Sequence, residues 1–318
     1  MFPPGIGDGV LRFAVRRFVG GIGVLWGVIT LVFIIGYVIP INPARVIAGR
    51  SAPLSVVRSI YHQLGLDRPL PVQYGEYLWR LVHGNLGESY ATNQAVSQAL
   101  LQRLPYTLEL VSLSVLGELV IGVGLAVLAA RKHGSLGDGV ASVVAMVGLT
   151  LPTFWFGLVL LYAFAYKLAF FPLGGVAAAS WVVLPAFSLA FTGAGFYTRI
   201  GRSSILDELN EDYVRTARSK GATSRRVLIH HALRNALRPV VTMAGLDFAT
   251  LMGGVLVTEQ VFGIPGLGTL SWTAILQNDL PMLEGVVIVI GAVIVVMTIL
   301  TDLLYALLDP RVNLEATG

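Results

Sequence analysis

Apolar residues run through the chain in long blocks, separated by short polar connections and two longer ones. Residues 19–39 form a run of 21 residues without a charge. That length suffices for a helix to cross the ~30 Å hydrocarbon core of a bilayer. The run ends in Tyr-Val-Ile-Pro with no small-residue cleavage site, and it exceeds the length of a signal-peptide core, so it predicts a retained first span. Five further blocks follow, at 107–130, 140–166 (with Pro152 inside it), 182–197, 240–262 and 286–308. The fourth span, 182–197, lies at the lower length limit. The pattern predicts an all-α polytopic membrane protein with six transmembrane helices.

The two longer polar stretches differ in kind. Residues 40–105 carry mixed charge and helical periodicity over 56–64 and 72–81, punctuated by Pro53, Pro69 and Pro71. They predict a small ordered cap between the first two spans. Residues 199–239 hold nine Lys and Arg against four acids, Asp207, Glu208, Glu211 and Asp212. The acids come first and the bases follow, in the order that a helix dipole favours. Gly221 breaks the pattern and predicts two short helices with a tight bend between them. The first places Ile205, Leu209, Tyr213 and Ala217 on one face. The second places Ile229, Ala232, Leu233 and Ala236 on an apolar stripe, beside Arg226, His230, Arg234 and Arg238. An ordinary basic loop obeying topology rules would explain the charge but not the paired amphipathic pattern. A hairpin of this form, between the fourth and fifth spans, has the character of a docking element for lipid headgroups or an acidic protein partner.

Composition agrees with a membrane protein. Of 318 residues, 13% are charged and 55% hydrophobic, with mean hydropathy +0.75; a soluble domain carries about 25% charged residues. The net charge of +4 is modest and concentrated in loops, so nucleic acid is not implied. The absence of cysteine excludes disulfides, thiolate catalysis and Cys-ligated metals. Six spans put both termini on one side, together with Arg12, Arg16, Arg17, Arg131, Lys132, Arg311 and the nine bases of 199–239. That side is predicted to be cytoplasmic, and the 40–105 cap extracytoplasmic. The expected organisation is a tail and first helix (1–39), the cap (40–105), a transmembrane core (106–310) containing the 199–239 loop, and a C-terminal tail (311–318).

Enzymatic chemistry is poorly represented. None of the three lysines, Lys132, Lys167 and Lys220, lies in a phosphate-binding loop, so the chain does not hydrolyse ATP by that route. There is no His-Glu-x-x-His and no Gly-x-Ser-x-Gly. Asp247 and Asp302 lack the Tyr-Asp and Gly-x-Gly-Asp settings of intramembrane aspartyl proteases. The intramembrane acids should instead face protein or a water-filled path, because a charge in hydrocarbon costs ~2.5–3.5 kcal/mol or more. Asp247 and Glu118 are candidates for lining a translocation path, and Asp302 for a structural role. No residue is expected to be catalytic, and no metal site is expected.

Several stretches resemble binding-protein-dependent ABC importer permeases of the dipeptide/oligopeptide branch. They are Leu64-Gly-Leu-Asp-Arg-Pro-Leu, Gly84-Asn-Leu-Gly-Glu-Ser, Leu104-Pro-Tyr-Thr-Leu-Glu-Leu, Asp212-Tyr-Val-Arg-Thr-Ala-Arg218 and Arg234-Asn-Ala-Leu237. Against the family's loop signature, Ala217, Gly221 and Leu233 match. The outer loop from Glu259 to Gly268, continuing to Asn278-Asp-Leu-Pro281, is similar to the loop by which such permeases face their binding protein. The resemblance implies ATPase coupling through Tyr213, Ala217, Gly221, Ala222 and Leu233. It implies a binding-protein-facing loop with Phe262, Pro265, Gly266 and Asp279. The implied partners are a second homologous permease subunit, two ATPase subunits that hold ATP and Mg, and an extracytoplasmic peptide-binding protein, in a bacterial plasma membrane. This chain itself is expected to bind no cofactor. An ion-coupled secondary transporter using Asp247 or Glu118 as proton carrier is the competing reading.

Overall fold

The computed structural model describes residues 6–38, 42–49, 51–131 and 134–308. The tail 311–318, Lys132, Arg311 and the side chain of Arg12 lie outside the described residues. In chain order the helices are α1 (Ile6–Val38), α2 (Pro43–Ala48), α3 (Leu54–Gln63), α4 (Leu70–Val82), α5 (Val96–Arg131), α6 (Leu136–Thr150) and α7 (Thr153–Leu160). They continue as α8 (Val183–Leu209), α9 (Asp212–Ser219), α10 (Ser224–Arg226), α11 (Leu233–Gly254), α12 (Leu256–Phe262), α13 (Leu267–Gln277) and α14 (Leu280–Leu308). A π-helical turn, Leu161–Lys167, extends α7, and another, Val227–Ala232, joins α10 to α11.

Among the described residues, three helices are long and apolar enough to cross a membrane, in α1, α5 and α14; counting each of two bent pairs as one span gives five. The expected single span over 140–166 is a broken one. Pro152 offers no N–H and holds Leu151 extended (ψ 128°), so α6 and α7 meet at 103°. The expected span over 240–262 also bends, by 59°, just after the Gly253-Gly254 pair. Helix α8 has 27 residues, but its second half carries Arg199, Arg202, Asp207 and Glu208, and it is not among these apolar spans.

The chain divides into two compact units. The first comprises Met1–Phe18, Leu108–Ile264 and Val296–Gly318. Its hub is α8, against which α6, α7 and α11 pack. Small residues allow this: a side chain at Gly195 would meet the Ala145 carbonyl of α6, and one at Gly148 would lie 2.6 Å from the Phe191 carbonyl of α8. Asp138, in the first turn of α6, receives Arg202 of α8 in a fork, with Nε–Oδ1 2.8 Å and Nη2–Oδ2 2.9 Å. Arg17 Nε pairs with Asp302 Oδ2 at 3.1 Å, which places Asp302 in a structural contact. Lys167 lies over the rings of Tyr162 and Tyr166, at 5.6 and 5.8 Å.

The second unit comprises Val19–Thr107 and Pro265–Val295. Here α4, opened by Pro69 and Pro71, lies against the end of α1: Thr30 and Tyr74 share a hydrogen bond of 2.6 Å, and the Phe33 ring packs at a tilt against Tyr74 and Tyr77. The Leu267 N–H at the start of α13 donates to Thr107 Oγ1 at 2.8 Å, a buried bond that ties α13 to α5. The helix α13 was not legible as such in the loop following residue 262.

Candidate functional site

The 199–239 stretch turns at Gly221, but the first helix of the expected hairpin does not run unbroken from Ile205 to Ala217. Helix α8 continues to Leu209, and the chain turns at Asn210 and Glu211 before α9 starts. Ile205 and Leu209 therefore belong to one helix and Tyr213 and Ala217 to another, so they share no face. The break rephases the pattern and turns Val214 inward, where it is wholly buried. Asn210 followed by two acids was the available signal for this boundary.

Helix α9 is held on both sides. The Tyr213 hydroxyl lies between the Glu208 carboxylate and the His231 carbonyl and accepts from Asn235 Nδ2 at 3.0 Å. Burial first, and then the bond with Glu208, raises the phenol above its ordinary pKa. At the other end, Gly221 N–H donates to the Arg218 carbonyl at 2.9 Å and Ala222 N–H to the Ala217 carbonyl at 3.1 Å. This is a Schellman cap, with Gly221 in the left-handed region at φ +83°. Ala217, Gly221 and Ala222 are thus brought together as one local device. Thr223 then caps the next helix. Leu233 packs instead on the apolar cluster of Ala126, Ala130, Ile205, Leu228 and Ala236. Ile229, expected on the apolar stripe, is 40% exposed, because the π-turn shifts Leu228 into the interior.

Glu118 of α5 and Asp247 of α11 are also brought close together in the interior. Tyr197 of α8 completes the group by donating to Asp247 Oδ2 at 3.0 Å. Tyr197 was missed by sequence reasoning, which followed charge and had no reason to choose among 11 tyrosines. Glu118 is 2% exposed and one of its oxygens, Oε2, has no partner among the described residues. Gly193 gives the carboxyl its room, since a side chain there would collide with it.

The residues expected to face a binding protein are partly turned inward. In the first unit, Phe262 is 4% exposed and lies on Gly157, and its carbonyl accepts from Gly175 N–H at 3.0 Å. In the second unit, Asp279 is 2% exposed; it accepts from Ser89 Oγ, from Tyr90 N–H at 3.1 Å and from Met282 N–H at 3.4 Å at the start of α14. Both side chains hold the scaffold. Gly266, buried, opens α13, and Pro265 beside it keeps partial exposure.

Residues 122–314 match the family described as binding-protein-dependent transport system inner membrane component, and residues 10–111 match that family's N-terminal companion. The chain belongs to this family. The permease is 38% identical over 308 residues to a Brucella abortus (strain 2308) protein that bears the name of a peptide transport system permease, covering 94% of this chain and 98% of that one. It is 35% identical over 306 residues to the glutathione transport system permease protein GsiC of Pectobacterium atrosepticum, covering 96% and 99%. Among solved structures, an inward-facing form of the MetNI methionine ABC transporter superposes with TM-score 0.57 at 17% identity, over 67% of this chain and 97% of that one. That likeness concerns the fold. These findings favour an importer permease over an ion-coupled secondary transporter.

Proposed function

We infer that the permease is the membrane-spanning subunit of an ATP-driven importer of short peptides. The observation that carries this is the end-to-end match to a peptide transport permease, over 94% of this chain and 98% of the relative. In this reading both termini and α9 are cytoplasmic, on the side rich in Lys and Arg. Two ATPase subunits, which hold ATP and Mg, dock around α9, and a second, homologous permease subunit completes the path. An extracytoplasmic binding protein delivers the peptide near Pro265. Closure of the ATPases pushes α9 through its Tyr213 face, and the Gly221 cap transmits the displacement into α11 through α10 and the π-turn. Glu118, Tyr197 and Asp247 lie where α5, α8 and α11 converge, so that movement of α11 would reposition polar groups along the path.

Co-expression with the partner subunits tests this. A tagged permease should retain the ATPases through purification, and the reconstituted complex should take up labelled di- or tripeptide only with ATP and the binding protein. Full peptide uptake by this chain alone, driven by a proton gradient, would overturn the reading.

A further inference from the structure

The second unit contains an open-mouthed cavity of about 390 Å³ lined by the end of α1, by α4, by the start of α14 and by residues between α1 and α4, within the range of roughly 300–1,000 Å³ common for small-ligand sites. Five aromatic side chains, Phe33, Tyr37, Tyr61, Tyr77 and Tyr90, contribute to its walls, and two opposite charges, Glu284 and Arg80, line it as well. Glu76, the other acid in the wall, is already paired with Arg68. Glu284 is half-buried beside Gly36, where any side chain would come within 2.7 Å of its Oε1. Tyr77 is 8% exposed, and its hydroxyl has no hydrogen-bond partner among the described residues. Burial first, and then the nearby Glu284 carboxylate, raise the Tyr77 phenol above its ordinary pKa. The unpartnered Tyr77 hydroxyl and the nearby Glu284 carboxylate form an acceptor pair suited to an ammonium group, and the aromatic side chains favour a cation in addition.

A second cavity, of about 310 Å³, adjoins the first and shares Phe33 and Tyr37 with it. Thr30, Ile34, Leu70, Pro71 and Tyr74 complete it, so that it forms an apolar groove between α1 and α4. The groove follows the part of α1 where Ile34, Ile35, Tyr37 and Val38 are exposed. On α4, Trp79 and Val82 are also exposed, at 68% and 82%. An amphipathic helix carrying an exposed Trp beside the end of a spanning helix marks the level of the lipid headgroups.

We propose that cavity and groove together hold one phospholipid with a primary-ammonium headgroup. The ammonium lies against Glu284 and the Tyr77 hydroxyl, the phosphate against Arg80, and an acyl chain in the groove beside Thr30–Tyr37. Two hydrogen-bond acceptors reward N–H donors, which a choline headgroup lacks, and a headgroup with no amine would set its phosphate against Glu284. The site rests only on the chain being embedded in a bilayer and is independent of which substrate is transported.

The full-length permease, purified with its partner subunits, would be placed in phosphatidylcholine nanodiscs doped with phosphatidylethanolamine or phosphatidylglycerol. Native mass spectrometry then reads the retained lipid, and thermal unfolding its effect. Phosphatidylethanolamine should be retained at least tenfold over the other two lipids and should raise the unfolding midpoint. Glu284→Gln, nearly isosteric, should reduce that preference at least tenfold, and Tyr77→Phe, which removes one hydroxyl, should reduce it severalfold with the midpoint in phosphatidylglycerol unchanged. Equal retention of the three lipids would overturn the proposal, as would a preference unaffected by both substitutions. Displacement of the lipid by a short peptide would overturn it too and assign the acceptor pair to a peptide N-terminus.

Discussion

Gly221 illustrates how much a single backbone angle carries. Its φ of +83° closes the cap of α9, yet a Cβ added there would meet nothing within 4 Å. Conformation is therefore the constraint, and side-chain bulk is secondary: a left-handed non-glycine residue costs roughly 1–2 kcal/mol, least for Asn. Gly221→Val is expected to retain ATP hydrolysis in the assembled complex but lose most peptide uptake, whereas Gly221→Asn keeps most of both. Paired uptake and ATPase assays on proteoliposomes decide this, and equal uptake by the two variants would refute the role assigned to the cap. Asp279 is a residue of another kind. It caps α14 and satisfies Ser89 and the Tyr90 N–H in the interior. Losing a cap and orphaning buried donors should cost about 3 kcal/mol for Asp279→Ala, measurable as a lower unfolding midpoint, with Asp279→Asn intermediate.

At the scale of elements, α9 has eight residues, too few to be stable alone, so its position depends on what it buries. Val214 is that anchor. Val214→Ala should cost about 1–2 kcal/mol, while Val214→Asp, which buries a charge, should detach the helix and abolish co-purification of the ATPases without preventing membrane insertion. Retained ATPases with Val214→Asp would place docking elsewhere. The contact of α6 with α8 depends on absent side chains. Gly195→Leu would drive four carbons into the Ala145 carbonyl, at or beyond the upper end of the ~1–3 kcal/mol typical of overpacking. The variant is expected to be degraded or to unfold at a markedly lower temperature, and wild-type stability would show that the two helices separate freely. The Arg202–Asp138 fork holds the same pair of helices; Arg202→Lys keeps the charge but cannot reproduce both bonds, and a smaller loss of stability is expected.

For the whole molecule, the decisive expectation of the proposed function is that this chain works as a component. The importer is expected to show peptide-stimulated ATP hydrolysis only when permease, ATPases and binding protein are reconstituted together. Omitting the binding protein should reduce stimulation to the basal rate, and undiminished stimulation without it would remove the peptide-delivery step from the mechanism. The relatives that this permease matches end to end bear the names of peptide and glutathione permeases, so competition assays with short peptides and glutathione are the direct route to its substrate.

The sequence by itself determined the helical class, the first, second and last spans, the helical segment after the first span, and the helix break at Gly221. Each rests on local physics: apolar length against bilayer thickness, period-3.6 patterning, and glycine's tolerance of positive φ. Only tertiary structure decided the rest. Pro152, the Gly253-Gly254 pair and Asn210 mark breaks locally, but the burial of Val214 and the exchange of Ile229 for Leu228 at the π-turn follow from packing against α8 and its neighbours. The same holds for Tyr197 joining Glu118 and Asp247, and for Tyr77 facing Glu284, since residues far apart in the chain meet only after the helices pack. Hydrophobic pattern specifies which faces must be buried, but the small residues and partners across each interface decide where those faces meet.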